Sequence, residues 1–178
     1  MNTVSSESST DSVIGTDSDT DTDTDTVIDA RNLSLTYQMA GQAVTVLREA
    51  SLNVSAGTTV AIAGPSGSGK TSLLLLLSGL ERPDAGRILI DGRDLSAMSR
   101  DELADLRRDH VGIVFQSFHL LPSLTALDNV ALPLQMAGVA AARQTAQDML
   151  DRVGLGPRGH HRPGQLSGGE QQRVAIAR

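Results

Sequence analysis

Thr59-Val60-Ala61-Ile62-Ala63-Gly64-Pro65-Ser66-Gly67-Ser68-Gly69-Lys70-Thr71 is the stretch on which the fold turns. Its last eight residues match G-x-x-x-x-G-K-[ST] in full, the pattern of a loop that cradles phosphates. The β-branched apolar run 59–63 suits a buried parallel strand that delivers the chain to the glycines, and the leucine-rich run 71–80 suits a buried helix that leaves them. In such a loop successive backbone N–H groups turn inward as an anion nest, and the helix N-terminus adds partial positive charge. Lys70 is the only lysine of the chain, and every other Lys/Arg position is arginine. A compact ammonium here reaches between β- and γ-phosphates, which implies a nucleoside triphosphate as ligand, and the Thr71 hydroxyl is the implied Mg2+ ligand. Gly64, Pro65, Ser66, Gly67, Ser68, Gly69, Lys70, Thr71 and Ser72 form the candidate nucleotide-binding set. A plain Gly/Ser turn between strand and helix is the competing reading, and it does not account for eight matched positions in this context.

A second motif follows at Leu166-Ser167-Gly168-Gly169-Glu170-Gln171-Gln172-Arg173. Ser167 and Glu170 have the S-x-x-E spacing of a capping box, so a helix is predicted to begin here and to run into Val174-Ala175-Ile176-Ala177. Capping leaves the Gly168-Gly169 pair unexplained, because glycine in a first helical turn costs stability unless bare backbone must approach a ligand. Exposed amides and a serine hydroxyl at a helix N-terminus make a second candidate anion site.

With this octapeptide the chain resembles the ATP-binding cassette (ABC) ATPases, over residues 27–178. The resemblance implies an α/β fold: a P-loop NTPase core with a mostly parallel sheet, an N-terminal antiparallel β portion and an inserted α-helical subdomain. It implies ATP and Mg2+ as ligands. It also assigns roles by position. Tyr37 resembles the aromatic residue on which adenine stacks, although an edge-strand aromatic is the plain alternative. Gln116, after the apolar run Val111-Gly112-Ile113-Val114-Phe115, resembles the Q-loop glutamine, which contacts Mg2+ and the attacking water; capping a strand end is its plain alternative. Lys70 and Gln116 are thereby the implied catalytic residues, and Thr71 and Gln116 the implied metal ligands. Ser167, Gly168, Gly169 and Glu170 are implied to meet ATP held by a second subunit. Glu170 itself is read as a cap and not as a general base. The segments 110–122 and 127–130 look most like the lipoprotein-releasing and macrolide-export branch of the family.

The net charge of -6 is unevenly placed: residues 1–29 hold eight acidic side chains and no basic ones. The Asp/Thr alternation through residues 17–26 is low in large apolar residues and self-repelling, so residues 1–26 are expected to be a disordered tail. Alternating aspartates invite a calcium reading, but the glycine and terminal glutamate of an EF-hand are missing. The tail lacks the positive and apolar regions of an export signal. Beyond it the chain is close to neutral and has no basic run, so nucleic acid is not an implied partner. There is no cysteine, which excludes disulfides and thiolate chemistry. The longest apolar run, residues 73–77, is far below the ~18 residues of a bilayer span. A transmembrane pathway must then come from a separate permease, with this chain peripheral on the cytoplasmic face of the membrane.

Strands are expected at 27–37, 44–54, 59–63, 87–91 and 111–115, and helices at 71–80, 100–108, from Ala126 after a Thr125 cap, and at 140–153. Residues 154–165 read as a loop returning to the second motif, with His160 and His161 solvated in it; adjacency alone is not a metal-site spacing. His119 is expected to pack in a region that meets the partner. The organisation is thus a nucleotide-binding core at 27–116, a helical subdomain at 117–165 and a signature helix at 166–178. The sequence stops at Arg178, before the acidic strand, glutamate base and switch histidine that the resemblance would place next. The expectation is of a fragment of a longer gene, able to hold MgATP, poorly equipped to hydrolyse it, and unstable alone through an open sheet edge. The implied mechanism for the intact protein is head-to-tail dimerisation of two cassettes around ATP, driving the permease. Two rivals remain open. A DNA-repair or chromosome-organising ATPase would carry a long coiled coil, for which the 49 residues between Gln116 and Leu166 are too few. A nucleotide-dependent regulatory module of a membrane complex, as in cell division, is not separated by sequence.

Overall fold

The computed structural model describes residues 25–178, so the expected disorder of the Asp/Thr tail falls, through residue 24, outside the described residues. The described residues divide into two compact units, one ending at Leu103 and the other spanning Ala104–Arg178.

In the first unit the described sheet has the order β2-β1-β3-β4, with antiparallel neighbours throughout. Its strands are β1 (Thr26–Met39), β2 (Gln42–Ser55), β3 (Ala85–Ile90) and β4 (Arg93–Asp94). Alternation places Leu33, Leu35, Leu47, Ile88 and Ile90 on the buried side. Ala40 and Gly41, both at positive φ, close the β1–β2 hairpin where Met39 pairs with Gln42. Two positive-φ central residues fit the right-handed twist of the flanking strands. Asp91-Gly92 repeats the device between β3 and β4, a hairpin that the sequence reading passed over although Asp-Gly is its usual signal.

Helix α1 spans Lys70–Leu77, close to the expected 71–80, and buries Leu76 and Leu77. Helix α2, Arg100–His110, opens with a capping box that the sequence reading also missed: Glu102 N–H donates to Ser99 Oγ at 3.3 Å, and Ser99 N–H donates to Glu102 Oε2 at 2.7 Å.

Two expected strands do not form ladders. Residues 58–65 have no regular structure and Val60 is 48% exposed; residues 111–115 have none either. The physical reason is that a parallel strand exists through its neighbours, and no described strand pairs with either segment. The strand habit survives in residues 111–115 as a period of two: Val111, Ile113 and Phe115 are half-buried, Gly112 and Val114 exposed.

The second unit packs α3 (Ala126–Met136), α4 (Ala142–Arg152) and α5 (Gly168–Ala177) around Ala126, Val130, Ala131, Ala146, Leu150, Leu155, Leu166 and Val174. Thr125 caps α3 as expected, its hydroxyl accepting from Asp128 N–H at 3.1 Å. The predicted loop 154–165 contains two short 3-10 turns, Gly156–Arg158 and Pro163–Gln165. His160 is exposed there as expected, but His161 is not merely solvated. It is half-buried, its Nε2 lies 3.0 Å from an Arg158 guanidinium nitrogen, and its backbone carbonyl accepts from Ala126 N–H at 2.8 Å. Joining the α3 N-terminus draws the residue out of solvent. Among the described residues no group of three or more His, Asp or Glu is arranged to hold a metal.

Candidate functional site

Helix α1 starts at Lys70 because Gly69 precedes it in the left-handed conformation, at φ 84°. Glycine is needed there twice over. A Cβ at Gly69 would be strained at this φ and would stand 2.8 Å from Val46 O and 2.9 Å from Leu47 Cδ2, so the loop lies directly on β2. No side chain caps this helix, unlike α3 and α5. Its first N–H groups and the positive end of its dipole are thereby left for an external acceptor.

Lys70 Nζ donates to Pro65 O at 2.6 Å, Gly64 O at 3.0 Å and Ser68 Oγ at 3.4 Å. Three acceptor oxygens of the loop therefore converge on one ammonium. Anionic phosphate oxygens are stronger acceptors than carbonyls and compete favourably for the same three donors. Thr71 is exposed on the first turn of α1. A lone hydroxyl oxygen beside an anion nest fits Mg2+, which prefers hard oxygen donors and usually shares its shell with substrate phosphates and water.

Tyr37 stands near the end of β1, opposite Val44 of β2, and is half-buried. Its hydroxyl donates to Glu81 Oε2 at 2.6 Å and lies 3.4 Å from Ser72 Oγ, so the phenol tip touches the first turn of α1. The carboxylate accepting its proton raises the phenol above its ordinary pKa, against a smaller lowering by Ser72. Tyr37, the loop 64–69, Lys70 and Ser72 are thus joined in one unit. Glu81 was missed by the sequence reading. It lies 44 residues from Tyr37 in the chain, so no local spacing connects them.

The remaining candidates belong to the second unit. Gln116 is exposed in the tight turn 115–118, closed by Phe118 N–H donating to Phe115 O at 2.9 Å. His119 stacks on Phe115 with ring centroids 4.7 Å apart, and the carbonyls of Phe118 and His119 accept from the Arg178 guanidinium.

At α5 the predicted capping box is present in both directions. Ser167 Oγ accepts from Glu170 N–H at 3.3 Å, and Glu170 Oε2 accepts from Ser167 N–H at 2.8 Å and from its hydroxyl at 2.8 Å. The Ser167 backbone N–H, then its hydroxyl, hold the Glu170 carboxyl below the ordinary glutamate range, with Arg158 at 3.6 Å adding to this. Ser167, Gly168 and Gly169 are exposed. A Cβ at Gly168 would meet nothing within 4 Å, and at Gly169 only the end of Arg173 at 3.9 Å. Neither glycine is demanded by packing within the chain.

A phosphate loop opening an uncapped helix, on an α/β frame, defines a P-loop nucleotide-binding domain. Residues 47–178 match the family model described as ABC transporter, and the chain belongs to that family. An uncharacterized ABC transporter ATP-binding protein of Mycobacterium bovis is 52% identical over 149 residues, 83% of this chain and 45% of that protein. The macrolide export ATP-binding/permease protein MacB of Chromobacterium violaceum is 51% identical over 137 residues, 76% of this chain and 21% of its own length, in line with the resemblance to the export branch. Among solved structures, the dimeric post-hydrolysis state of the ATP-binding cassette MJ0796 bound to ADP and Pi superposes with a TM-score of 0.78 at 41% identity. It covers 84% of this chain and 67% of that one, which establishes the α/β cassette fold. The chain spans about half the length, 45%, of the first curated relatives that it matches.

Proposed function

We propose that this chain is the ATP-binding part of a bacterial ABC transporter, in which two cassettes close head to tail on ATP and drive a membrane permease. The observation that carries this reading is the pairing of an uncapped phosphate loop at Gly69-Lys70 with an exposed Gly168-Gly169, which no packing within the chain demands, directly after the Ser167 cap of a second helix. Each is built to receive an anion, and a head-to-tail dimer gives both the same nucleotide. That MJ0796 was solved as a dimer with ADP and Pi supports the arrangement.

In this reading residues 64–69 and the α1 amides hold the β- and γ-phosphates, Lys70 turns its ammonium from Pro65 O to them, and Ser72 belongs to the same shell. Adenine lies on Tyr37. Thr71 and Gln116 would hold Mg2+, which when bound offsets phosphate charge. Gln116 also positions the attacking water. From the second subunit, Ser167, Gly168 and Gly169 meet the γ-phosphate, while Glu170 keeps that N-terminus shaped. ATP hydrolysis resets the dimer. The core 27–116, helical subdomain 117–165 and signature helix 166–178 divide these tasks, with the helical subdomain meeting the permease on the cytoplasmic membrane face. No helix among the described residues is long and apolar enough to cross a membrane.

The test is calorimetric titration with MgATP combined with sedimentation of the intact protein. ATP is expected to bind and to raise the mass to that of a dimer. Lys70→Ala should lose binding, whereas Gly169→Asp should keep binding and lose the dimer, because it places a carboxylate where the γ-phosphate arrives. ATP binding untouched by Lys70→Ala would sink the proposal.

A further inference from the structure

Tyr37 is anchored at its hydroxyl, by one residue of α1 and one just beyond it. Ser72 sits in its first turn, and Glu81 follows its C-terminus. Glu81 is itself fixed there: its N–H and that of Leu80 both donate to Leu75 O, at 3.2 and 3.0 Å. The carboxylate therefore reaches the phenol from a backbone locked to the same helix whose other end carries Lys70. A phenol donating to a carboxylate at 2.6 Å is a charge-assisted bond, roughly twice as strong as a neutral one. Without it, a half-buried tyrosine near the end of a strand turns about its side-chain torsions, and any ligand resting on the ring must order it on binding.

We infer that Glu81 is a positioning residue: by holding the Tyr37 hydroxyl against α1 it presets the ring for the nucleotide base, at a fixed place relative to the phosphate loop. This rests on the reading that adenine lies on Tyr37. Glu81 touches no part of the nucleotide and acts only through the phenol. The base and the triphosphate are thereby registered to one rigid element, so α1 sets the span between them.

The test uses the intact protein with two probes, MgATP and inorganic tripolyphosphate, which has no base. The variants are Glu81→Ala, Glu81→Gln, Tyr37→Phe and Tyr37→Ala. The phenol is followed by 13Cζ-tyrosine NMR as the resonance absent from Tyr37→Phe. In the unsubstituted protein this resonance should titrate above free tyrosine, and in Glu81→Ala it should return toward the free value. Glu81→Ala and Tyr37→Phe should each weaken ATP binding by about fivefold to tenfold, the size of one lost ordering hydrogen bond. The double variant should be no weaker than Tyr37→Phe alone, since that change already removes the bond to Glu81 together with the contact to Ser72. Glu81→Gln, which keeps an acceptor, should restore part of the loss. Tripolyphosphate affinity should stay constant throughout. If Tyr37→Ala weakens ATP but Glu81→Ala does not, the positioning role is overturned and base stacking stands. If Tyr37→Ala leaves ATP affinity unchanged, the stacking itself fails and takes the inference with it. Equal losses for ATP and tripolyphosphate in Glu81→Ala would show loop damage, which also overturns the inference.

Discussion

Lys70 Nζ and the carbonyl oxygen of Pro65 lie 2.6 Å apart, so the loop's one ammonium is held by the loop's own backbone. Gly64 O at 3.0 Å completes the hold, and both carbonyls belong to exposed residues. The hold fixes the side chain in place without making it structurally necessary, since water can serve those carbonyls as well.

Lys70→Met should therefore cost folding little, about 1 kcal/mol or less, although Lys70 is half-buried. Its effect belongs to binding. Losing one charge-assisted contact set is expected to weaken triphosphate affinity roughly 10- to 100-fold. Lys70→Arg should not restore it, because a planar fork cannot occupy a point-charge position. Binding of a fluorescent ATP analogue alongside a urea melt separates the two effects.

Gly69→Ala is expected to act on the fold instead. The new Cβ would be held at φ 84° and pressed to 2.8 Å from Val46 O, which is backbone and cannot turn away. A loss of about 1–3 kcal/mol follows from strain of this kind. The urea midpoint should fall measurably, and a midpoint equal to that of the parent would contradict the close approach of loop to β2.

Asn129 is 1% exposed and serves the loop before α3 on both sides. Its amide nitrogen donates to Leu121 O at 3.1 Å and Thr125 O at 2.9 Å, and its oxygen accepts from Leu121 N–H at 2.8 Å. Asn129→Ala leaves Leu121 N–H without its acceptor, while Leu121 O and Thr125 O keep the N–H groups of Leu124 and Asn129, and should cost about 1–2 kcal/mol. Amide exchange at Leu121 should accelerate well before exchange in α4 does.

The start of α5 should depend on pH through Glu170. Its carboxyl is held below the ordinary range by the Ser167 N–H and hydroxyl, so its contribution is fully present above the ordinary glutamate pKa and disappears as pH falls through the lowered value. Acidification should therefore fray residues 167–171 before the rest of α5. In Glu170→Gln, where the amide oxygen still accepts without titrating, protection at these positions, taken relative to the intrinsic exchange rate at each pH, should lose its acid dependence. Hydrogen exchange by NMR across the acid range decides the matter.

Much of this was legible in the sequence because it is local. The phosphate loop, the Thr125 and Ser167 caps and the helices α1 to α5 each depend on residues within a few positions, which is the range over which helix ends and tight turns are encoded. Gly168 and Gly169 illustrate what sequence pattern and structure add to each other. Composition marked them as costly, and the open space around both removed packing as their explanation.

Elsewhere the same local signals stopped short. Residues 59–63 and 111–115 have the composition of buried parallel strands, and the alternating burial of 111–115 keeps that habit, yet neither joins a ladder among the described residues. Propensity states what a segment can do beside neighbours, and pairing is a property of the neighbours. The Asp91-Gly92 hairpin and the Ser99–Glu102 box were local and readable, and were passed over.

The sequence by itself determined the phosphate loop, the signature helix and the family, because covalent order alone places those residues within reach of one another. Only the tertiary structure decided that Glu81 holds Tyr37, that Gly69 lies on β2, and that His161 is drawn in against Ala126. Each of these joins residues more than 20 positions apart, and such contacts arise from how sheet, loop and helices close on one another, which no local pattern of side chains records.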